Sequence, residues 1–258
     1  MSHRVTGCSA SFNGNFGILF SSAPWGQTLT GLHDVVISNC VVNSNGGATA
    51  GSTVFAHSAG GIYIDRGQYN VLIKDCQVES TFSTNGVNGK AVGIYASLTN
   101  NIVIEDTNIF NTTSTTATAH GIMFDTVADS KIIRTQLHRN KNAGVELVGT
   151  NTTIDIIECI SKSNDIGFEF AAGSTASCCL VQDSRAIKNT TSGFVYAAAL
   201  PLTTTFIGNE AQCQGANNYV GLTGLINLQS LSWTNGVIAN VNGGAAPGAR
   251  FTNISAGP

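Results

Sequence analysis

Charge is scarce in this chain. Of 258 residues only 10% are Asp, Glu, Lys or Arg, 12 of them basic and 15 acidic, for a net charge of −3. A nucleic-acid partner calls for a basic stripe that displaces counterions, and this balance argues against one. No apolar run approaches the ~18–20 residues of a membrane-spanning helix. Leu, Glu, Lys and Arg are too sparse for a helical bundle, and a 42% hydrophobic content is too high for a disordered chain. Pro occurs only 4 times and Trp twice. The 7 Cys show no C-x-x-C zinc spacing, so no metal is expected. The first residues, MSHRVTGCSASFNGNFGILF, lack the charged start and apolar centre of a secretory signal.

What is plentiful is Gly, at 29 residues, together with Asn, Ser, Thr and β-branched residues. Gly followed by an alternating apolar run recurs at Gly17, Gly61, Gly93, Gly121, Gly144, Gly167 and Gly193. The runs include Ile122-Met123-Phe124, Val145-Glu146-Leu147 and Phe168-Glu169-Phe170, and a second apolar run such as Ile154-Asp155-Ile156-Ile157 lies between marks. Alternation with period two predicts strands, and strands plus turns at a fixed repeat predict a stacked solenoid. Residues 1–224 carry the repeat; 225–258 break it and are expected to cap the end as a strand and tail. Val5 to Phe20 already reads as a coil, so the N-terminal end is expected to be closed by upstream sequence or by self-association with another chain.

Cys8, Cys40, Cys76 and Cys159 occupy one place in their coils, held elsewhere by Thr107 and Ser184. That pattern predicts a ladder of small inward side chains, not disulfides. Asn13, Asn45, Asn111, Asn140, Asn164 and Asn189 fall at turns, where Asn tolerates left-handed backbone and its amide can bond from rung to rung. In three consecutive coils the turn lengthens by insertion, over 43–60, 80–92 and 111–119. Insertions at one place in neighbouring repeats project from one side, often the binding side.

Coils of about 23 residues, uneven insertions, turn Asn and stacked aliphatics resemble the right-handed parallel β-helix of the pectin-lyase-like superfamily. The resemblance covers residues 1 to about 224 and implies an all-β, single-stranded right-handed parallel β-helix of about eight coils. That superfamily holds lyases, glycoside hydrolases, tailspikes and non-enzymatic surface proteins, so the fold does not name an activity. The hydrolase signatures survive only as echoes: Asp65 in Ile-Asp-Arg, Glu105-Asp106, Ala119-His120-Gly121 and Lys131-Ile132-Ile133-Arg134. The Asp cluster a calcium-dependent lyase requires is missing, and no cofactor is expected.

Alternation after each Gly mark points Ile62, Ile94, Ile122, Val145, Phe168 and Phe194 inward. Tyr63, Tyr95, Met123, Glu146 and Glu169 then point outward, with Asp65 and Asp125 two residues further along. Tyr63 and Tyr95 are expected to be exposed as a stacking platform for a sugar, with Asp65, Asp125, Glu146 and Glu169 taking its hydroxyls. Lys90, His57 and His120 would flank this face from the long loops, with Arg66 beside Asp65 also at hand. Lys74, Glu105 and Arg134 are expected as a structural charge ladder on the second strand. The reading is a non-catalytic surface or extracellular module for binding, adhesion or assembly, with glycan as ligand. The alternative is an enzyme that cleaves polysaccharide with Asp65, Asp125 and Glu146.

Overall fold

The computed structural model describes residues 2–21, 33–47, 59–84, 90–115, 118–197, 204–212, 217–220, 227–234 and 237–240. Among these there are strands and turns but no helix. His57 and most of the first insertion lie outside the described residues.

The chain winds as a parallel solenoid with three strand faces. The glycine face stacks Phe16–Ser21, Ala59–Asp65, the first half of Ala91–Glu105, the first half of Ala119–Ile133, Ala143–Val148, Ile166–Phe170 and Ser192–Tyr196, all parallel. A second face stacks His33–Ser38, Tyr69–Lys74, the second halves of the two long strands, Thr150–Ile157 and Leu180–Gln182. The third is built of three-residue strands, from Ser9–Ser11 through Gln136–His138 and Ile160–Lys162 to Arg185–Ile187. About six turns lie between the two end rungs, somewhat fewer than the eight coils expected. At the C-terminal side Asn227–Thr234 still pairs in parallel, whereas Val237–Asn240 pairs antiparallel to it.

The glycine marks stack one above another. A Cβ on Gly17, Gly61, Gly93, Gly121 or Gly144 would lie 2.5–2.8 Å from the carbonyl oxygen of the next glycine in the column. Backbone approaches backbone here more closely than any side chain allows, and that selects glycine. Inside, Ile62, Ile94, Ile122, Val145, Phe168 and Phe194 form one fully buried column. Ile73, Ile104, Ile132 and Ile156 form another from the second face. Each such side chain contributes about 1.5–3 kcal/mol through burial. Phe168 and Phe194 stack with ring centroids 4.9 Å apart and planes within 10°.

Polar columns occupy the corners. The backbone N–H of Asn140 donates to Asn164 Oδ1 at 2.8 Å, and that of Asn164 to Asn189 Oδ1 at 2.9 Å. Asn13 donates to Asn45 in the same manner. Asn111 is not in this column: it holds the left-handed corner one residue earlier (φ 59°), and Thr112 takes the column position, its N–H donating to Asn140 Oδ1. The Cys ladder is formed by buried Cys40, Cys76 and Cys159, with Thr107, Thr135 and Ser184 between and beyond them. Cys8 departs from expectation: on the terminal rung it is exposed, as is Cys178. Six free thiols lie among the described residues. The charge ladder is also displaced by one residue. Ile133 takes the strand position after Glu105, yet the charges still meet: Lys74 Nζ lies 3.1 Å from Glu105, and Arg134, turning the corner, lies 3.6 Å from the same carboxylate while it grips Asp106 with two nitrogens.

Candidate functional site

The glycine face positions its outward residues by register. Tyr63 pairs with Tyr95, Tyr95 with Met123, Met123 with Glu146 and Glu146 with Glu169. One column over, Asp65 pairs with Ser97, Ser97 with Asp125 and Asp125 with Val148. The carboxylates therefore share one face across successive rungs about 4.8 Å apart.

The tyrosines do not form a sugar platform. Tyr63 is 2% exposed and Tyr95 1%. They point away from the central column, as alternation requires, but they are buried in a second apolar cluster with Val92 and Met123, against which Phe16 and Val148 pack. Tyr63 sits 4.6 Å from Tyr95 and 4.7 Å from Phe16 between ring centroids. The signal for this was present in the sequence. Gly60-Gly61-Ile62-Tyr63-Ile64 and Ala91-Val92-Gly93-Ile94-Tyr95 are apolar at outward positions as well as inward ones, the pattern of a strand covered on both sides.

Tyr95 instead serves Asp125. Its hydroxyl donates to Asp125 Oδ2 at 3.2 Å, and Thr126 donates to Oδ1 at 3.1 Å, so both oxygens of Asp125 are engaged. Asp65 is largely buried beside the more exposed Arg66, whose Nε is 3.8 Å from Oδ1. Burial holds the Asp65 carboxyl above the usual range, opposed by the charge of Arg66 and its backbone hydrogen bond and reinforced by Asp125.

His120 is not a loop residue flanking the face. It is the second residue of the strand Ala119–Ile133 and 2% exposed. Its Nε2 lies 3.4 Å from Glu146 Oε2 on the adjacent rung. Burial, and then the charge of Lys90, push the imidazole down to about 3, so it is neutral near neutral pH. Burial pushes Glu146 up to about 7, with Glu169 and Asp125 adding repulsion and Lys90 opposing it. The contact is thus one between a neutral imidazole and an acid close to its midpoint, and not a salt bridge. Neither Nδ1 of His120 nor Oε2 of Glu146 makes a hydrogen bond. Glu169 is also raised, by burial and then by Asp165. Lys90, half-buried just before the strand Ala91–Glu105, supplies the positive charge of the site. Among the described residues no group of His, Cys, Asp and Glu is arranged to hold a metal ion.

Comparison with known proteins places this geometry. The sequence model of the right handed beta helix region matches residues 50–222. Among solved structures, the periplasmic alginate epimerase AlgG superposes with a TM-score of 0.56 at 11% identity, covering 78% of this chain and 45% of that one. The pectate lyase Pel9A superposes with a TM-score of 0.53 at 13% identity, covering 88% of this chain and 64% of that one. The chain therefore spans about half to two thirds of the length of these proteins, and at such identities the likeness is one of fold. No curated protein matches by sequence. With its parallel rungs, glycine column and aliphatic interior, the chain belongs to the right-handed β-helix family, with the pectin-lyase-like fold.

Proposed function

We propose that this β-helix is a glycan-binding module that works outside the cytoplasm, with its ligand on the Asp65–Asp125–Glu146–Glu169 row of the glycine face. The observation that carries the reading is the pair of unpartnered atoms, His120 Nδ1 and Glu146 Oε2, beside that row. A buried polar atom without a partner costs roughly 1–3 kcal/mol, so this pair marks a place where the fold has given up stability; the two atoms are closed to solvent, and the hydroxyl groups of a sugar are suited to bond the solvent-facing side of the row in front of them. The row is acidic, so a neutral sugar fits it better than a uronate, which like charges would repel. The fold neighbours, an alginate epimerase and a pectate lyase, support a saccharide as the general class; both names point to uronates, so the preference for a neutral sugar rests on the acidity of the row alone.

A second reading, polysaccharide cleavage, is favoured by one specific feature. Glu146, raised to about 7, is poised for general acid–base work, whereas Asp125 is tied by Tyr95 and Thr126. The catalytic candidates of that reading narrow from Asp65, Asp125 and Glu146 to Glu146 with His120 beside it.

The test is an array of neutral, amino and uronate oligosaccharides, followed by product analysis on any ligand found. Binding of neutral sugars, weakened at least ~10-fold by Glu169→Gln with Asp65→Asn and yielding no product, supports the module. Turnover abolished by Glu146→Gln would replace it with the enzyme. Binding confined to uronates, or unaffected by both substitutions, removes this face as the site.

A further inference from the structure

A separate cluster of cations lies on the face of three-residue strands. A cavity of about 230 Å³ is lined there by Gln136, His138, Arg139, Ile160, Lys162 and Ser163, with no carboxylate among its lining residues. Strand register sets the arrangement: His138 pairs with Lys162 on the next rung, and Lys162 with Ile187, which Lys188 follows. Arg139, Ser163 and Lys188 occupy equivalent left-handed corners at φ 55°, 56° and 52°, so their side chains leave the solenoid from one edge on successive rungs. On the other side Phe110 stacks on the His138 ring, with centroids 5.0 Å apart and planes within 17°.

These cations are left unneutralised. Lys74, Lys131, Arg134 and Arg185 each lie within 4 Å of a carboxylate, whereas Arg139, Lys162 and Lys188 form no ion pair among the described residues. The chain has more acids than bases, so carboxylates were not in short supply. The only acid in the column shared by His138 and Lys162 over the neighbouring rungs is Glu79, two rungs above His138 and hydrogen-bonded by Gln77. Like charges gathered round a concavity repel one another and are relieved by an anion.

We propose that the Arg139–Lys162 cavity binds an oxyanion, a carboxylate, sulfate or phosphate group carried free or on a saccharide, with the planar guanidinium of Arg139 as its fork. Arg matches the two oxygens of such a group, Lys162 adds point charge, the Gln136 amide and Ser163 hydroxyl are donors at hand, and Lys188 adds a further positive charge one rung beyond the lining. His138 lines the cavity with Phe110 stacked on its ring from the neighbouring rung, which holds the imidazole in place at the cavity edge. This site lies on a different strand face from the carboxylate row and does not depend on the reading of that row.

His138 reports occupancy. Its imidazole is held below the ordinary value by burial, then by Arg139 and Lys162. An anion in the cavity opposes the latter two effects, so the His138 pKa followed by NMR rises by roughly one unit on saturation. The probes are sodium sulfate and a galacturonate oligosaccharide, titrated at constant ionic strength, with maltohexaose as neutral control. A saturable rise with either anion, abolished in Arg139→Asn with Lys162→Gln, is the expected result; Asn keeps the left-handed corner at 139. Saturation by sulfate as well as the oligosaccharide assigns a free oxyanion as sufficient, and saturation by the oligosaccharide alone assigns a saccharide-borne group. No saturable change with either probe, an equal response in the double variant, or an equal response to maltohexaose would each overturn the proposal.

Discussion

His120 and Glu146 meet across adjacent rungs, Nε2 to Oε2 at 3.4 Å, and neither that Oε2 nor the far ring nitrogen, Nδ1, makes a hydrogen bond. Both side chains are nearly shut off from solvent, at 3% and 13% exposure, and burial moves each toward its neutral form. The pair is costly to the fold, and its pH dependence is readable.

For Glu146 the folded pKa of about 7 exceeds the ordinary 4.5. The folded state holds the proton more tightly, so stability is lost as pH rises from about 4.5 through 7 and stays lost above. That difference corresponds to about 3 kcal/mol. His120, lowered from 6.5 to about 3, has the opposite sense: stability is lost as pH falls from about 6.5 toward 3. Glu146→Gln therefore raises the melting temperature at pH 8 and leaves it nearly unchanged at pH 4. Thermal melts across pH 4–8 check this, and a parallel offset at every pH would refute it.

Tyr63→Ala is expected to act on stability before it acts on any ligand. The ring is 2% exposed and packs between Phe16 and Tyr95. Its removal costs about 3–5 kcal/mol by analogy with other large aromatic truncations. Urea denaturation measures the loss, and a change under ~1 kcal/mol would mean the ring is not packed as described.

Gly121→Ala places a methyl 2.6 Å from the Gly144 carbonyl oxygen and 2.8 Å from Leu137 Cδ2. The backbone oxygen belongs to the next rung and has no room to withdraw, so the cost is about 1–3 kcal/mol or more. Gly14→Ala is the control, since nothing lies within 4 Å of its added methyl. Equal stabilities for the two variants would contradict the glycine column.

Asn164→Ala removes an acceptor for the Asn140 N–H and donors to Leu137 O and Ser161 Oγ, all buried. Two orphaned backbone groups at ~1–3 kcal/mol each give a loss of about 2–6 kcal/mol. Asn111→Ala, outside the column, costs less than half of that in the same denaturant series; an equal cost would show that the two positions are equivalent after all.

The columns themselves were legible in the chain. Ile62, Ile94 and Ile122 follow a Gly at matching places, and strand geometry leaves no freedom about which residues alternate inward. Asn140, Asn164 and Asn189 were legible as turn residues for the same reason. Asn111 and Arg134 were misplaced by one because each fills a left-handed corner next to its column position, Asn111 just before Thr112 and Arg134 just after Ile133, and no residue type marks such a corner: Arg134 and Glu158 fill one as Asn39 and Asp75 do. His120 was read as loop because the insertion before it hides where the strand resumes.

Repeat spacing and alternation, carried in the sequence alone, determined that this chain stacks rungs around an aliphatic interior and which side chains face away from it. Whether an outward side chain meets water was decided only by tertiary structure. Tyr63 and Tyr95 are outward yet buried because apolar neighbours from several rungs, Phe16, Val92, Met123 and Val148, converge on them. His120 and Glu146 are 26 positions apart (146 − 120) and touch only because one winding brings successive rungs within a single strand spacing. Direction follows from the local backbone; burial and charge environment are sums over the whole stack.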